Sequence, residues 1–451
     1  MKIVIVGAGT VGGAICMQLA DEGHDVTLVD SKNEVVTDIA NRCDVVGIEG
    51  NGANIGLLRK AGAEKADLLI AVTSEDEMNI LCCAAAKKLG TKNTIARVRN
   101  PEYSELMALM KEDMNLSLTI NPELAVAKEI YKTLRFPSAT KIDSFCHGRV
   151  EMAEFVVPGG SPICGITLND LRAKLNIKFL ICAVLRDSKA IIPSGDFSIK
   201  EGDVICFTLP DEELTTFFKG IGAYKHPVRD VLIVGGGRTT YYLEELLEKE
   251  KIKSTVIEKD KERCLELAEN FKCTVVCNDG TNQDVLLEEG LEKTDAFLAL
   301  SGEDEENAII SMFAKSRNRN KIVTMIKAMS YAELFKSVGI DSIVSPNSST
   351  VAHILRFVRS MANTGDSEME SLYRIMDEQV EALEFLIKDD IEGLTGVALK
   401  EIKLEKGILI ACIVHGEKII IPSGNDVISK GDTVIIVTTT GQIKEIKEIL
   451  K

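Results

Sequence analysis

The sequence contains no hydrophobic run long enough to cross a membrane. Its longest unbroken apolar stretches, such as GILIACIV near residue 410 and VIIV at 434–437, fall far below the ~20 residues that a membrane span needs. A signal peptide is also absent, because MKIVIVGAG runs directly into a glycine turn. The sequence therefore predicts a cytoplasmic protein whose access to any membrane depends on a partner.

Positive charge is also in short supply. The chain has 53 Lys and Arg against 69 Asp and Glu, which gives a formal net charge of −16 over 451 residues. A surface of that sign repels nucleic-acid backbones and anionic lipid headgroups. We therefore expect no nucleic-acid partner and no membrane binding by charge alone.

Cysteine motifs typical of metal or redox sites are missing. Twelve cysteines are present, but none forms a CxxC motif. The closest groupings are the adjacent Cys82 and Cys83 and the pair Cys273 and Cys277. This spacing favours buried thiols in a reducing compartment over disulfides or a zinc site. No metal site is predicted.

The chain repeats itself. Gly7 and Gly235 lie 228 positions apart, and the same offset matches Asp30 with Glu258. Further along, IIPSGDFSIKEGDVICF at 191–207 matches IIPSGNDVISKGDTVII at 420–436 with an offset of 229. The repeated unit therefore extends beyond one domain, and the protein consists of two similar halves in tandem.

The hydrophobic pattern of each half predicts a large domain followed by a small one. Apolar strand-like runs alternate with amphipathic helical segments, which is typical of a doubly wound, parallel, Rossmann-like sheet. Short strands separated by Gly, Pro, Asp and Ser turns then indicate a small α+β lobe. The strands predicted for the first sheet are 2–6, 25–29, 44–48, 67–72, 93–98 and 116–120. The predicted domains are 1–137 and 228–360 for the sheets, and 138–225 and 361–451 for the lobes.

The segment between the first sheet and its lobe contains a helix start and a helix stop. Asn121 and Pro122 are residue types that begin helices, and Pro137 ends the helical pattern. We expect one helix from Pro122 to near Phe136.

The first half opens with a dinucleotide-binding motif. Gly7, Gly9 and Gly12 follow an apolar strand and begin a helix, which is the context that gives GxGxxG its meaning. The glycines permit a tight turn, close approach of a pyrophosphate and close helix packing, and the helix N-terminus attracts phosphate. Asp30, at the end of the second strand, is placed to accept both ribose hydroxyls, which favours NAD(H) or another adenine nucleotide. The residues of the turn are Gly7, Ala8, Gly9, Thr10, Val11 and Gly12.

Other candidate contacts follow the later strands, at the sheet edge where such folds bind ligands. Asn51 and Gly52 are placed to approach an adenine. Thr73 and Ser74 follow the fourth strand, where a helix cap at Ser74 is the competing interpretation. Two arginines of the fifth strand share one face and either is placed to reach a phosphate or to form an ordinary ion pair. They are Arg97 and Arg99.

The second half carries an altered version of the same motif. Thr240 stands where the third glycine belongs, and a β-branched residue there is expected to push the helix outward. Met325 stands opposite Arg97. We expect this site to be empty or retuned rather than intact. Its candidate residues are Gly235, Gly236, Gly237, Arg238, Thr239, Glu258 and Asp279.

A dinucleotide site raises the alternative of a soluble NAD-dependent oxidoreductase. Such an enzyme needs an acid or base near the nicotinamide. None of the five histidines stands beside a carboxylate in a recognisable catalytic pattern, and the lobes are small for a catalytic domain. We therefore predict a nucleotide sensor and not an enzyme, with no catalytic residue. The histidines are His24, His147, His226, His353 and His415.

Together the motifs KIVIVGAGTVGGAI, TLVD, KADLLIAVTSEDEMNI, IARVR and IPSG, in tandem, resemble the TrkA family of potassium-uptake proteins. Members of that family have two RCK units, each with a KTN domain and a TrkA-C lobe. The resemblance implies a cytoplasmic regulatory subunit that assembles as a dimer to tetramer. This ring would lie against the inner face of the cell membrane, below a TrkH- or KtrB-like potassium-translocating subunit, and would gate it in response to NAD(H) or ATP/ADP.

The resemblance also marks residues. It implies nucleotide contacts at Gly7 to Val11, Asp30, Thr73, Ser74 and Arg97. In the second half it marks the turn 235–239 and Glu258. A regulatory ring for another cation channel or for an antiporter remains the alternative from the same class. The activating nucleotide, the oligomeric state and the membrane partner stay open at this point.

Overall fold

The computed structural model describes residues 1–103, 116–146, 149–210, 213–224, 226–317, 321–328, 334–335, 340, 342–362, 369–376, 379–439, 443 and 445–451. The chain forms two compact units, each assembled from both halves of the sequence. The first unit, called the sheet unit, contains Met1–Tyr131 and Val228–Leu355. The second, called the lobe unit, contains Lys132–Pro227 and Arg356–Lys451. The four domain boundaries stay predictions, and residue 225 lies outside the described residues.

The first half begins with a parallel six-stranded sheet in the order β3-β2-β1-β4-β5-β6. Its central strands are apolar and buried along nearly their whole length, as parallel strands covered by helices on both faces must be. The strands are Lys2–Val6 (β1), Asp25–Asp30 (β2), Val46–Glu49 (β3), Leu68–Ala71 (β4), Asn93–Arg97 (β5) and Leu118–Ile120 (β6). The helices are Thr10–Asp21 (α1), Asn33–Arg42 (α2), Ile55–Lys60 (α3), Asp76–Leu89 (α4) and Pro122–Arg135 (α5). The predicted Rossmann-like fold and its six strands are confirmed.

Helix α5 confirms the helix that the sequence predicts after the first sheet. Pro122 is its first residue, a position at which the missing N–H costs nothing. The side chain of Asn121 accepts a hydrogen bond from the Leu124 N–H at 2.9 Å and so caps the helix. The helix ends at Arg135, two residues before Pro137.

The first lobe is an antiparallel sheet with two helices. Its strand order is β10-β9-β11-β8-β7. The strands are Lys141–Phe145 (β7), Val150–Val156 (β8), Leu180–Arg186 (β9), Lys189–Ile191 (β10) and Val204–Thr208 (β11). The helices are Leu168–Leu175 (α6) and Leu214–Gly220 (α7).

The second half repeats this architecture with the equivalent strand order β14-β13-β12-β15-β16-β17 in its parallel sheet. The sheet strands are Asp230–Val234 (β12), Lys253–Glu258 (β13), Thr274–Cys277 (β14), Ala296–Ala299 (β15), Lys321–Met325 (β16) and Ser342–Val344 (β17). The helices are Arg238–Lys249 (α8), Lys261–Asn270 (α9), Gln283–Glu288 (α10), Asp304–Arg317 (α11) and Pro346–Ala362 (α12). The lobe strands, in the order β18-β19-β22-β20-β21, are Met369–Ile375 (β18), Val380–Leu386 (β19), Ile408–His415 (β20), Lys418–Ile420 (β21) and Thr433–Thr438 (β22).

No helix within the described parts of the chain has the length and apolar character of a membrane span.

Each lobe has a hydrophobic cluster of its own, and the two lobes share a further one. Side chains from β7, β9 and β11 pack with side chains from β18, β20 and β22 in a single buried cluster. At its centre the rings of Phe145 and Tyr373 lie 4.1 Å apart between centroids. The guanidinium of Arg356 covers the Tyr373 ring at 3.8 Å. Each lobe therefore completes its core with residues of the other.

Two carboxylates, the buried Glu384 and the half-buried Glu154, tie the lobes together with near-twofold symmetry. Glu384 accepts a hydrogen bond from the Cys146 N–H at 3.2 Å, and Glu154 accepts one from the Met376 N–H at 3.1 Å. Cys146 and Met376 both have a left-handed backbone, with φ of 50° and 52°. A residue other than glycine adopts this backbone conformation only at a cost in free energy. In each lobe, a carboxylate of the opposite lobe holds this strained turn in place.

Helix α8 buries an acidic side chain in the second parallel domain. Glu244 is 1% exposed, and its Oε2 accepts a hydrogen bond from the Ser254 hydroxyl at 2.8 Å. Its Oε1 is buried and has no hydrogen-bond partner among the described residues. Loss of hydration disfavours the charged form, so burial raises the pKa of Glu244 from 4.5 to about 7, with Ser254 opposing the shift and Glu248 adding to it.

The shared core predicts the outcome of truncating Phe145, which is fully buried. Phe145→Ala should lower the free energy of unfolding of the lobe unit by about 3–5 kcal/mol. Hydrogen exchange should show faster opening of β18–β22 as well as of β7–β11. The control Val156→Ala, at a position 42% exposed on β8, should change stability by less than about 0.5 kcal/mol. Unchanged exchange in β18–β22 would contradict the shared core.

The pKa of Glu244 predicts a pH-dependent stability. The folded chain retains a proton that the unfolded chain releases between pH 4.5 and about 7, so stability is highest below this window and falls as the pH rises through it. The loss amounts to about 3 kcal/mol. Glu244→Gln should remove this dependence of the thermal midpoint. Glu245→Gln, on the exposed side of the same helix, should retain it, and an equal slope in Glu244→Gln and wild type would refute the assignment.

Candidate nucleotide-binding sites

The three glycines of the first turn are required for three different reasons. Gly7 has φ of 103°, and a Cβ atom there would lie 2.9 Å from the Thr73 N. A Cβ atom at Gly12 would lie 1.8 Å from the Gly7 carbonyl oxygen, so only glycine lets α1 start this close to the strand. Gly9 has open space above it. This space is where a pyrophosphate approaches the backbone in such folds.

Asp30 connects the end of β2 to this turn. Its Oδ2 accepts a hydrogen bond from the Ala8 N–H at 2.7 Å, and its Oδ1 accepts one from the Lys32 N–H at 2.9 Å. The carboxylate is partly exposed. The Ser31 hydroxyl also donates to Oδ1, at 3.5 Å, so Oδ2 is the oxygen that keeps a second lone pair for a ribose hydroxyl. Asp30 therefore fixes the turn and presents a carboxylate at the position that the sequence predicts.

The N-terminus of α1 carries no side chain that would compete with an anion. Gly9 provides no side-chain cap, and no acidic residue lies in the first turn. Thr10 is exposed and Val11 is buried. The unpaired N–H groups of this turn and the positive end of the helix dipole thus face the open space above Gly9.

A buried amide, Asn79, joins the ends of β4 and β5. Its Oδ1 accepts hydrogen bonds from the N–H and the hydroxyl of Thr73 at 2.7 and 2.8 Å. Its Nδ2 donates to the carbonyl oxygens of Thr73 and Arg97 at 3.2 and 2.9 Å. Asn79 was not among the predicted site residues. The available signal was its match with Asn307 at the repeat offset of 228, and Asn307 bridges Ser301 and Met325 in the same way.

The guanidinium of Arg97 is held at the same place. It donates to the Thr73 carbonyl oxygen at 2.6 Å, while its buried Nε has no hydrogen-bond partner in the described structure. Burial and the neighbouring Arg99 lower the pKa of Arg97, whereas Glu123 and Asp76 oppose this shift. The side chain stays cationic because even a lowered arginine pKa lies far above neutrality. A guanidinium fixed in this way is suited to a phosphate oxygen through its terminal N–H groups.

Arg99 belongs to a cluster that includes the second half. Its Nε lies 3.7 Å from Oε1 of Glu123, and its carbonyl oxygen accepts a hydrogen bond from the Tyr242 hydroxyl at 3.1 Å. Burial raises the pKa of Glu123, and the positive charges of Arg99, Arg238 and Arg97 oppose the shift. Arg238, in the turn of the second half, is therefore one of the charges that favour the ionised form of Glu123.

The remaining predicted contacts of the first half have other local roles. Asn51 is exposed, and its side chain accepts a hydrogen bond from the Ala53 N–H at 2.8 Å, which stabilises the loop after β3. A Cβ atom at Gly52 would lie 2.2 Å from Val6 Cγ1, so this glycine serves close packing. Ser74 is exposed and does not cap α4, because Glu75 is the N-cap residue and makes no side-chain cap.

The altered turn of the second half keeps the backbone of the first. Gly235 has φ of 102°. Gly237 has φ of −72° and ψ of −174°, against −65° and −169° for Gly9. The Thr240 hydroxyl donates to the Gly235 carbonyl oxygen at 2.5 Å. The side chain that was expected to push the helix outward thus bonds to the turn, and the turn conformation survives.

Glu258 binds its turn as Asp30 does in the first half, whereas the cation Arg97 has no counterpart at the equivalent position. Glu258 accepts hydrogen bonds from the N–H groups of Gly236 at 2.5 Å and Asp260 at 2.7 Å. At the position of Arg97 stands Met325, whose sulfur accepts a hydrogen bond from the Thr239 hydroxyl at 3.7 Å. Asp279 binds the N–H and hydroxyl of Thr281, which lowers its pKa. The second site thus has the turn and the acid without the buried guanidinium.

One histidine pairs with a carboxylate that the sequence did not indicate. His415 does stand beside a carboxylate, with its Nδ1 2.5 Å from Asp432 Oδ1. The pair lies in the second lobe, at the position where Arg186 binds Asp203 in the first lobe at 2.7 Å. Asp432 and Asp203 are both buried and also bind backbone N–H groups. The His415 pair is therefore the counterpart of a structural ion pair. His147 lies outside the described residues.

The close approach of Gly12 to the Gly7 carbonyl oxygen predicts that the stability of the sheet unit depends sharply on side-chain size at position 12. Gly12→Ala should lower the free energy of unfolding of the sheet unit by about 1–3 kcal/mol, because a backbone oxygen cannot move aside. The neighbouring Gly13→Ala should be nearly neutral, since its Cβ would meet mainly the flexible end of Ile39 at 3.0 Å. Denaturant unfolding measures both. Equal destabilisation by the two variants would contradict the packing role of Gly12.

Comparison with known proteins agrees with this architecture. The TrkA-N domain family model matches residues 3–118 and 231–346, and the TrkA-C domain model matches 152–222 and 384–451. The Trk system potassium uptake protein TrkA homolog 1 of Methanosarcina mazei is 35% identical over the full length of both chains. The Vibrio alginolyticus Trk system potassium uptake protein TrkA is 32% identical over 97% of this chain and 95% of its own.

Solved structures with a similar fold include a GsuK channel and a GsuK RCK domain. A GsuK channel bound to NAD has a TM-score of 0.64 and 17% identity, covering 97% of this chain and 77% of its own. The GsuK RCK domain has a TM-score of 0.63 and 16% identity, covering 97% and 92%. Two family models, each matching twice, and full-length relatives above 30% identity lead to one conclusion: the chain belongs to the TrkA family of tandem RCK proteins.

Proposed function

We propose that the protein is a cytoplasmic regulatory subunit that senses an adenine nucleotide and gates a membrane potassium-uptake system. The observation that carries the proposal is the first-half site, where an open glycine turn, an anchored Asp30 and a fixed Arg97 lie at one edge of one sheet. Membership of the TrkA family supplies the transport context.

The site chemistry favours the part that NAD(H), ATP and ADP have in common. A ribose with free hydroxyls suits the Asp30 carboxylate, and a 2′-phosphate would be repelled by it. The helix N-terminus suits a pyrophosphate, and the Arg97 guanidinium adds a charge-assisted donor. In support, GsuK structures exist with bound NAD and with bound ADP. We propose NAD(H) as the main ligand of the first site, with ATP or ADP as a competing ligand.

A ligand at this site changes the protein only by binding two conformations with different affinity. The Asn79 network joins the ends of β4 and β5 behind the ligand position, and Tyr242 and Asn121 join the two parallel domains through a hydrogen bond of 2.7 Å. Nucleotide bound in the first half thus contacts residues that are linked to the second. We propose that two to four copies form a ring and that this linkage moves a TrkH- or KtrB-like potassium-translocating subunit.

The proposal predicts that calorimetric titration with NADH, NAD, ATP and ADP detects binding of at least one nucleotide. Asp30→Ala should weaken NADH binding by about tenfold or more, since a hydrogen-bonded charge contributes about 1.5–3 kcal/mol. Arg97→Met introduces the residue type found at the equivalent position 325 of the second half. It should lower the affinity for every nucleotide that binds. The control Asp25→Ala lies at the opposite, exposed end of β2 and should bind like wild type. Absence of binding by all four nucleotides would rule out the assigned site.

The same titration tests whether the second half also binds NADH. We expect Glu258→Ala to leave the NADH stoichiometry unchanged, because the second turn lacks a buried guanidinium. A loss of one NADH per chain would instead show that the second turn holds this nucleotide. Sustained NADH oxidation by the purified protein with an added substrate would favour an oxidoreductase over a sensor.

A further inference from the structure

Two cysteines of the second parallel domain meet beside Glu258. Cys264 lies in the first turn of α9 and is buried, whereas Cys277 is the last residue of the edge strand β14 and is exposed. The Cys264 thiol donates a hydrogen bond to the Glu258 carbonyl oxygen at 3.3 Å. Cys277 is the neighbouring side chain that, after burial, most raises the pKa of Cys264.

Strand register explains why residues thirteen positions apart meet here. In the parallel ladder of β13 and β14, Cys277 is the partner of Glu258. The chain after Glu258 turns into α9, and the Cys264 N–H bonds to the Asp260 carbonyl oxygen at 2.9 Å, which fixes the first helical turn. Secondary structure, rather than a loose loop, therefore holds both cysteines next to Glu258. Cys273, which the sequence groups with Cys277, is not the partner.

The two thiols differ in reactivity. Burial raises the pKa of Cys264 to about 11, and Cys277, Glu258 and Asp260 add to the shift. The thiolate is the nucleophile in disulfide exchange, so Cys264 reacts slowly with reagents in solution. Cys277 is exposed and is the sulfur that a reagent reaches first.

We propose that Cys264 and Cys277 are a reversible disulfide-forming site that is oxidised by exchange with a low-molecular-weight disulfide. The Cys277 thiolate attacks the small disulfide, forms a mixed disulfide and releases one small thiolate. Cys264 then loses its proton and attacks the Cys277 sulfur, which closes the protein disulfide and releases the second small thiolate. The two protein thiols lose two electrons, the reagent gains them, and the two thiol protons end on the released thiols.

This site belongs to the second half alone. At the repeat offset of 228, Val36 and Glu49 occupy the equivalent positions of the first half, so no disulfide can form there. The proposed disulfide joins two residues that neighbour Glu258, and the carboxylate of Glu258 holds the turn at Gly236. Oxidation removes the hydrogen that Cys264 donates to the Glu258 carbonyl oxygen. The chemistry does not depend on nucleotide binding, and its test uses no nucleotide.

The test equilibrates the full-length protein with mixtures of oxidised and reduced glutathione, quenches free thiols with an alkylating reagent and maps peptides by mass spectrometry. We expect one intramolecular disulfide, between Cys264 and Cys277, and full return to thiols with excess reduced glutathione. Cys264→Ala should accumulate at least ~10-fold more glutathione on Cys277 than wild type, because the second thiol is missing. Cys277→Ser should give no disulfide at Cys264.

Cys273→Ser is the matched control, because Cys273 lies beside the same strand and is partly buried. It should form the disulfide as wild type does. A Cys273–Cys277 bond in wild type, or glutathione remaining on Cys277 to the same extent in wild type and Cys264→Ala, would overturn the proposal. Thermal unfolding of each reduced variant verifies that it is folded, and Cys277→Ser, at an exposed position, provides the comparison if Cys264→Ala does not fold.

Discussion

The structure of both nucleotide turns depends on one interaction, a carboxylate at the end of the second strand that binds a turn N–H. Asp30 binds the Ala8 N–H, and Glu258 binds the Gly236 N–H. The bond joins two neighbouring strands at their carboxyl ends. It also offsets part of the conformational entropy that is lost when the loop becomes ordered. In the proposed function Asp30 also contacts the ribose, so in the first half one side chain serves both the loop geometry and the proposed ligand contact. The second half keeps this bond although its glycine and its arginine are changed.

The two halves have diverged around this common frame in different ways. The first half keeps Gly12 and Arg97, which provide close helix packing and a fixed cation. The second half has Thr240, whose hydroxyl bonds to the turn, and an apolar Met325. Its Arg238 acts on Glu123 of the first half. The second parallel domain thus places a positive charge that acts on Glu123 of the first half, while Met325 stands at the position of Arg97 in its own turn.

Much of this could be predicted from the sequence, because glycine spacing, strand periodicity and an internal repeat are local or regular signals. They located the fold, the turn residues, Asp30 and helix α5. Other features join residues that are far apart in the chain and carry no motif, as with Glu123 and Arg238, Cys264 and Cys277, or His415 and Asp432. Asn79 lay within a recognised repeat, but its role is visible only when four backbone and side-chain partners are placed around it.

The paired lobes have a consequence for assembly. Each supplies core side chains and a carboxylate for a strained turn in the other. In a protein made from separate half-length chains, such a contact would form only above the concentration set by its dissociation constant. Here both lobes belong to one polypeptide, so their association is intramolecular and its effective concentration is fixed by the linking chain. The lobe pair therefore persists at any dilution of the protein, and only contacts between whole chains remain sensitive to how much of it is present.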